Sequence, residues 1–585
     1  MEQTQLSKRV QTNKTLKLKT TIEFVASSSR PFTIFMNIRP PKLLLQSVFI
    51  LCALGTAFSA KPNVVFIMAD DLGWADTTLY GHTALYETPN LERLAKRGML
   101  FERAYTASPL CSPTRSAMLT GLHPARTGLT APTCHVAGEP ILRPSLKLNT
   151  PAHHKLLSLT KVNRLDTNYP NIAKTLKQAG YHTAHFGKWH LGRSPFTALD
   201  HGFDVDIPNW YGPGPAGSYV APWKFPDFNE AYPGEHIEDR MADEIDTYLE
   251  NRAADKKPFY LNYWQFSVHG PFNAKADYIE SYKDKIDPNG AQKSPTYAAM
   301  VKSLDDNVGR VLDKLDELKL SKNTLIFFYS DNGGNMYSQV DGTTSTSNRP
   351  LRGGKGNNWD GGVRVPCIAV WPGHIKEKSK SSELVTSTDF YPTILDLLGI
   401  PKKESQTFDG ISIRPALEGK PMSKRHIFTY FPHATKVPDS LPNSAAIYDD
   451  EWKLIRLLHN GPNGDHEHWL FHLKKDIGER NEVSKKYPKK VAELAKELDQ
   501  FLAKTGAIYP SPNPNYNPGH ASTPKPKKTY SAAQFKKMDK NQDGFITLNE
   551  YIGNPKGRNV PALKKQFSRR DGNGDAKLTL AELNK

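Results

Sequence analysis

"NVVFIMADD", residues Asn63 to Asp71, carries the reading of the fold. Its first seven residues form an apolar run of strand length, and two carboxylates follow at once. In open α/β sheets, ligands gather at the carboxyl ends of strands. The chain to about residue 400 repeats this theme. "NLERLAKRGM" (90–99) reads as a helix. "NIAKTLKQAG" (171–180) reads as a helix closed by glycine, and "YHTAHFG" after it as a strand. "FYLNYWQF" (259–266) is a strand, "YAAMVKSLDDNVGRVLDKLDEL" (297–318) a long amphipathic helix, and "LIFFYS" (325–330) a strand. Such alternation predicts an α/β layer fold with a mostly parallel sheet.

"LIFFYS" is also followed directly by a polar pair, Asp331-Asn332. Asp70-Asp71 and Asp331-Asn332 at two strand ends supply the oxygen donors that a hard cation, Ca²⁺ or Mg²⁺, requires. Either pair alone is as readily a turn or a helix cap.

Outward from this core the composition changes. Residues 1–60 hold a basic patch (Arg39, Lys42), the apolar run "LLLQSVFILCALGTAFSA" (43–60) and an Ala57-Phe58-Ser59 cleavage pattern, which predicts an export leader. A start at Met36 would give that leader an ordinary length. No run reaches the ~18 apolar residues of a membrane span, so no stable membrane anchor is expected and the protein should be secreted or periplasmic. The chain carries +17 formal charge, and removal of the eight basic and two acidic residues of 1–60 leaves +11. A basic exported protein favours polyanions. Nothing resembles a nucleic-acid module, so sulfated or carboxylated glycans are the expected anions. Past the leader, Cys111, Cys134 and Cys367 remain; an odd count marks one thiol as special, and spacing leaves a Cys134–Cys367 pair open.

Residues 61–400 form the expected catalytic domain. From 401 to 506, "HIFTYF", "SAAIYDDEWKLIRLL" and "EHWLFHL" read as successive antiparallel strands, and "KKVAELAKELDQFLAKTG" as a closing helix: a smaller α+β lobe. Residues 507–528 are proline-rich and read as an extended linker. Residues 529–585 form a separate small helical unit with two acidic loops. "DKNQDGFITLNE" places Asp539, Asn541, Asp543 and Thr547 at positions 1, 3, 5 and 9, the carbonyl of Phe545 at 7 and Glu550 at 12, with Gly544 at the sharp turn. "DGNGDAKLTLAE" repeats this with Asp571, Asn573, Asp575, Lys577 (carbonyl), Thr579 and Glu582, but Ala576 replaces the glycine. The pair resembles a two-EF-hand module, so calcium is expected in both loops, more weakly in the second.

"CSPTRSAMLTG" (111–121) opens a helix, with Pro113 in its first turn and backbone donors at a positive end. Arg115 lies one turn beyond Cys111 and faces the same way. Cys-x-Pro-x-Arg followed by "SAMLTG" resembles the signature of the type I sulfatases, in the alkaline phosphatase-like superfamily. In that family a separate formylglycine-generating enzyme oxidises this cysteine. The resemblance extends in order over residues 61–505. It implies metal binding by Asp70, Asp71, Asp331, Asn332 and residue 111. It implies roles for Arg115, for Lys188 and His190 in "FGKWHLG", for His269 in "SVHGPF" and for Lys355 in "LRGGKGNNWDGG". Asp360 stands where the family often has Glu.

The implied activity is hydrolysis of sulfate monoesters of poly- or oligosaccharides, with formylglycine and calcium. Lys188, Lys355 and Arg115 would neutralise the sulfate, His190 would assist sulfate release and His269 would protonate the leaving alcohol. His135 and His201, on expected loops, and the aromatic segment "IPNWYGPGPAGSYVAPWKF" (207–225) are further candidates for substrate contact. Two other readings stay open: a phosphonate or phosphate ester hydrolase of the same superfamily, and a non-catalytic calcium-dependent glycan-binding protein.

Overall fold

The computed structural model describes residues 61–136, 141–288, 290–518, 530–554, 560–571 and 575–584. The expected leader, Asn573 and residues 519–528 of the linker lie outside these. The largest feature is an eight-stranded sheet. Its strands are β1 (Asn63–Ala69), β2 (Met99–Phe101), β3 (His182–Gly187), β4 (Val205–Ile207), β5 (Phe259–Trp264), β6 (Thr324–Ser330), β7 (Cys367–Val370) and β8 (Ser379–Ser381). The order is β8-β2-β7-β6-β1-β5-β3-β4. β1 pairs in parallel with β5 and β6, and β3 with β4 and β5. β7 runs antiparallel to both of its neighbours.

β1 shows why the strand is apolar throughout. All seven of its residues are buried. Successive side chains leave opposite faces of a strand. Val65 and Ile67 join one core, with Met241 and Ile245 of helix Ile237–Asp255 and Leu304 and Val308 of helix Pro295–Glu317. Val64, Phe66 and Met68 join the other, with Met118, Ile172 and Ile394. Helices therefore cover both faces, as mostly parallel sheets require.

The C-terminal lobe is a four-stranded antiparallel sheet: β9 (His426–Phe431), β10 (Ser444–Asp449), β11 (Trp452–Leu457) and β12 (Glu467–His472). The run 444–458, read as one strand, is a hairpin. Its turn falls at Asp450-Glu451, with Asp450 at φ +52°. One face of this sheet packs on Trp359 and Val363 of the catalytic body. The other packs on Leu494, Leu498 and Leu502 of helix Pro488–Thr505.

The proline-rich segment does not leave the body directly. Residues 511–517 run along the loop 151–157. Ser511 and Lys155 carbonyls accept from Leu157 and Asn513 amides at 2.9 and 3.0 Å, and the Asn517 amide donates to Ala152 at 2.9 Å. Asn513 Nδ2 donates to the Pro151 and His154 carbonyls. None of the described helices is long and apolar enough to cross a membrane.

Candidate active site

The acidic pairs meet because β1 and β6 are adjacent and in register, Ala69 opposite Ser330. The Asp71 amide donates to Asp331 Oδ1 at 3.1 Å, and Asn332 Nδ2 donates to Asp71 Oδ1 at 2.8 Å. All four residues are buried. Asp71 sits at φ +62°, a strained conformation for a non-glycine residue and one that clusters at functional sites. Gly333 lies so close to the neighbouring loop that a Cβ there would meet the Gly361 carbonyl oxygen at 1.8 Å. Gly333 thus lets two site loops touch backbone to backbone.

Cys111 is the first residue of helix Cys111–Thr120, and its Sγ lies 4.0 Å from Asp71 Oδ1. Lys188 follows β3, and its Nζ pairs with Asp70 Oδ2 at 2.5 Å. Lys355 Nζ pairs with Asp71 Oδ2 at 2.7 Å. Arg115 is fully buried and spends its donors inward: Nε to Asp331 Oδ2 and Nη1 to the Lys188 carbonyl, both at 2.9 Å. Its guanidinium lies 5.2 Å from the Trp264 ring centre. Arg115 therefore holds two pieces of the site together, and its buried Nη2 carries no hydrogen bond.

His190, at φ +52°, pairs one ring nitrogen, Nε2, with His135 Nδ1 at 3.0 Å, and its backbone carbonyl accepts from Ser112 Oγ at 2.7 Å. His269 Nδ1 donates to the Gly270 carbonyl at 2.7 Å, which leaves Nε2 directed to Asp71 Oδ2 at 3.8 Å. A carbonyl can only accept, so the proton sits on Nδ1 of the neutral ring. His201 is not in this group: it is buried and bonded to the Thr197 carbonyl, against Trp189. In the aromatic segment, Tyr219, Trp223 and Phe225 are core residues. Trp210 and Tyr211 line a side cavity of about 380 Å³.

Burial raises the Asp70 carboxyl well above its usual range, with Lys188 opposing and Asp331 and Asp71 reinforcing. Burial also disfavours ionisation of Asp71, but Lys355, His269 and Lys188 outweigh it and hold Asp71 below its usual range. Burial pushes the Cys111 thiol up to about 12 despite Lys188 and Lys355, so an unmodified thiol here stays protonated at neutral pH. Burial, then Lys355, lowers His269 to about 3; burial, then Lys188, lowers His190. Both rings are neutral until an anion joins them.

Asp70, Asp71, Cys111 and His269 each place one ligand atom within 4.8 Å of the others, the one such cluster among the described residues. Buried Asp70 Oδ1 and Asn332 Oδ1 carry no hydrogen bond. A carboxylate-rich set with unmatched oxygens fits a hard cation. His269 joins this cluster by position, where the sequence reading gave it the leaving alcohol and not the metal.

Supporting residues came to light only in three dimensions. Tyr219 Oη bonds the Phe266 and His269 carbonyls, and buried Glu238 accepts from the Ser267 amide and hydroxyl. Together they hold the loop that presents His269. The three cysteines beyond the leader are all free and buried, so Cys134 and Cys367 do not pair.

In the tail, Ile546 and Leu578 pair across a two-stranded antiparallel ladder that joins the two acidic loops. Asp539 accepts the Asp543 and Gly544 amides, and Glu550 accepts those of Lys540 and Thr547. Asp571, Asp575 and Glu582 accept the equivalent amides of Ala576, Lys577 and Thr579. Ala576 takes φ +62° where Gly544 takes +83°. That is the strain expected of a missing glycine, about 1–2 kcal/mol.

The sulfatase family model matches residues 62–400, and that of the N-sulphoglucosamine sulphohydrolase C-terminal region matches 355–506. N-acetylgalactosamine-6-sulfatase of Rattus norvegicus is 33% identical over 414 residues, 67% of this chain and 72% of the relative. A sulfatase of Formosa agariphila is 30% identical over 510 residues, 76% and 88% of the two chains. The crystal structure of Ps i-CgsB in complex with k-i-k-neocarrahexaose superimposes with a TM-score of 0.61 at 27% identity, covering 79% of this chain and 96% of that one.

Proposed function

We propose, for a chain that belongs to the sulfatase family and is a sulfuric ester hydrolase, that its substrate is a sulfated poly- or oligosaccharide and its nucleophile a formylglycine at position 111. The observation that carries this reading is the placement of residue 111. It lies at a helix start, 4.0 Å from Asp71, between two lysines that each hold one carboxylate of the Asp70-Asp71 pair. The basic charge of the chain and the sugar bound to one solved relative support a glycan substrate.

Bound through Asp70, Asp71, Asp331, Asn332 and residue 111, calcium would neutralise the sulfate oxygens. The hydrated formylglycine would supply one hydroxyl for in-line attack on sulfur and a second for release of sulfate. Lys188 and Lys355 stabilise the charge that develops as the S–O bond breaks. Arg115 keeps Asp331 and the Lys188 segment in place and adds its positive charge to those that neutralise the sulfate. His269 Nε2 faces the site, and the anionic ester beside it raises its affinity for the proton that the leaving alcohol must receive. His190, steadied by His135, takes the proton of the second hydroxyl.

The remaining assignments follow from the same reading. A formylglycine-generating enzyme is the maturation partner, export the route, and a secreted or periplasmic location the destination. The two acidic loops of the tail form a calcium-binding EF-hand pair, a structural staple or adaptor with a weaker second site.

The test is a tryptic mass spectrum of the peptide containing residue 111, from protein made in its native host, with sulfate release assayed on the same sample. The expected result is sulfur replaced by an aldehyde oxygen, with sulfate released from sulfated carbohydrate. A thiol in every molecule of a sample that still turns over sulfate esters would overturn the formylglycine mechanism.

A further inference from the structure

A groove of about 700 Å³ runs between the loop 153–161 and the lobe loops 432–443 and 458–460. It is lined by Lys155, Lys161 and Lys436 and by four histidines, and by no carboxylate. The contrast with a larger cavity, about 970 Å³ beside Trp74, is informative. There Arg103, Lys380 and Lys474 are interspersed with Glu102, Asp450 and Glu451. One-signed charge is thus a property of this groove and not of every concave surface of a basic chain.

The three lysines are exposed, and none forms an ion pair among the described residues. Lysines elsewhere on the lobe do: Lys424 and Lys490 pair with Asp449, and Lys474 with Glu451. Two of the groove's lysines lie close enough to its histidines to act on them. Burial, then Lys161, lowers the proton affinity of His433. Burial, then His153 and Lys436, lowers that of His154. Unmatched like charges gathered in a concave site focus a field that attracts anions.

One wall of the groove is tied to the catalytic loop. Thr435 Oγ1 on its wall donates to the Gly356 carbonyl at 2.8 Å, and the Gly356 amide donates to Pro109 at 3.0 Å. Gly356 follows Lys355, and Pro109 precedes Cys111 by two residues. The opposite wall, 151–157, is held by the strap of residues 511–517.

We propose that this groove binds the flanking, uncleaved part of an anionic polysaccharide whose reacting sulfate lies at residue 111. The inference rests on the sulfated-glycan reading above and adds to it a chain longer than the reacting sugar.

The experiment uses the full chain and Lys155→Ala/Lys161→Ala/Lys436→Ala. Retardation is measured in native gels containing ι-carrageenan or chondroitin 6-sulfate, and kinetics with those polymers and with 4-nitrophenyl sulfate. The expected result is about tenfold weaker retardation and a KM for the polymer raised about tenfold at unchanged kcat. Turnover of 4-nitrophenyl sulfate stays within twofold, and added salt removes most of the difference. Unchanged retardation by both polymers overturns the proposal, as does an equal loss on the small ester. Competition by single-stranded DNA as strong as by the glycan also overturns it, in favour of an unspecific polyanion surface. If the parent protein hydrolyses no sulfate ester, the catalytic reading fails; retardation that the triple variant loses would still uphold the groove.

Discussion

Two clusters of buried charge lie in this molecule, built from the same groups. In one, Lys453 Nζ bonds Asp360 Oδ1 at 2.9 Å and Glu479 Oε1 at 2.6 Å. Tyr448 and Tyr105 donate to the Asp360 oxygens, and the Asp360 amide donates to Glu479 Oε2. No oxygen of that cluster lacks a partner. It joins the catalytic body to the C-terminal lobe. In the other, around residue 111, lysines again meet carboxylates, yet Asp70 Oδ1 and Asn332 Oδ1 stay unmatched. Buried polar groups are normally satisfied, and an exception calls for an explanation. Full matching suits a structural joint, and unmatched carboxylate and amide oxygens beside one another leave room for a cation.

The sharpest way to break this contrast is to exchange one atom set in each cluster. Cys111→Ser should lower steady-state turnover of 4-nitrophenyl sulfate by at least about a thousandfold, since a lone hydroxyl offers no second one to expel sulfate. Thermal stability should be nearly unchanged; sustained multiple turnover by this variant would refute the mechanism. Lys453→Met should do the opposite. Two buried carboxylates lose their cation, at a cost of about 3–5 kcal/mol in chemical denaturation. Folded enzyme should keep its kcat on the small ester. Adding Glu479→Gln should recover part of the stability, and no recovery would mean that the cluster is not the closed unit described.

A buried carboxylate outside both clusters sharpens the comparison, because it has hydrogen bonds but no cation. Burial outweighs the Ser267 bonds and raises Glu238 from 4.5 to about 7. The folded state then holds this proton more tightly than the unfolded chain. Stability should therefore be full below about pH 4.5 and decline as pH rises to about 7, by roughly 3 kcal/mol for this group alone. Glu238→Gln should flatten that slope in denaturation curves taken across the range; an unchanged slope would place its cause elsewhere. The smallest effect belongs to the tail. Glu550→Gln should remove one calcium equivalent in titration calorimetry and leave sulfate hydrolysis within about twofold. A large loss of hydrolysis would tie the tail to the site.

The legible part of this molecule was the local part. A strand buried on both faces is apolar throughout, so β1, β5 and β6 announce themselves, and acidic pairs at strand ends follow from position alone. The illegible part was pairing at a distance. His135 meets His190 across 55 residues of sequence, and no local period marks that meeting. The hairpin within 444–458 hid because both strands are apolar and the turn residues, Asp450 and Glu451, are also ordinary in a strand's polar face. The aromatic segment 207–225 was ambiguous for a related reason. Aromatics suit a sugar and a core equally, and most of these went to the core. The lysine groove draws on three separate segments, so its one-signed lining exists only after folding.

The strap of residues 511–517 gives the chain a mechanical property. Tension applied to the tail meets five hydrogen bonds to the loop 151–157 before it reaches the helix Pro488–Thr505. Three of those bonds are made by Asn513, so load on the strap would concentrate on that residue. A tethered copy pulled by its tail would therefore transmit force first to the wall of the groove.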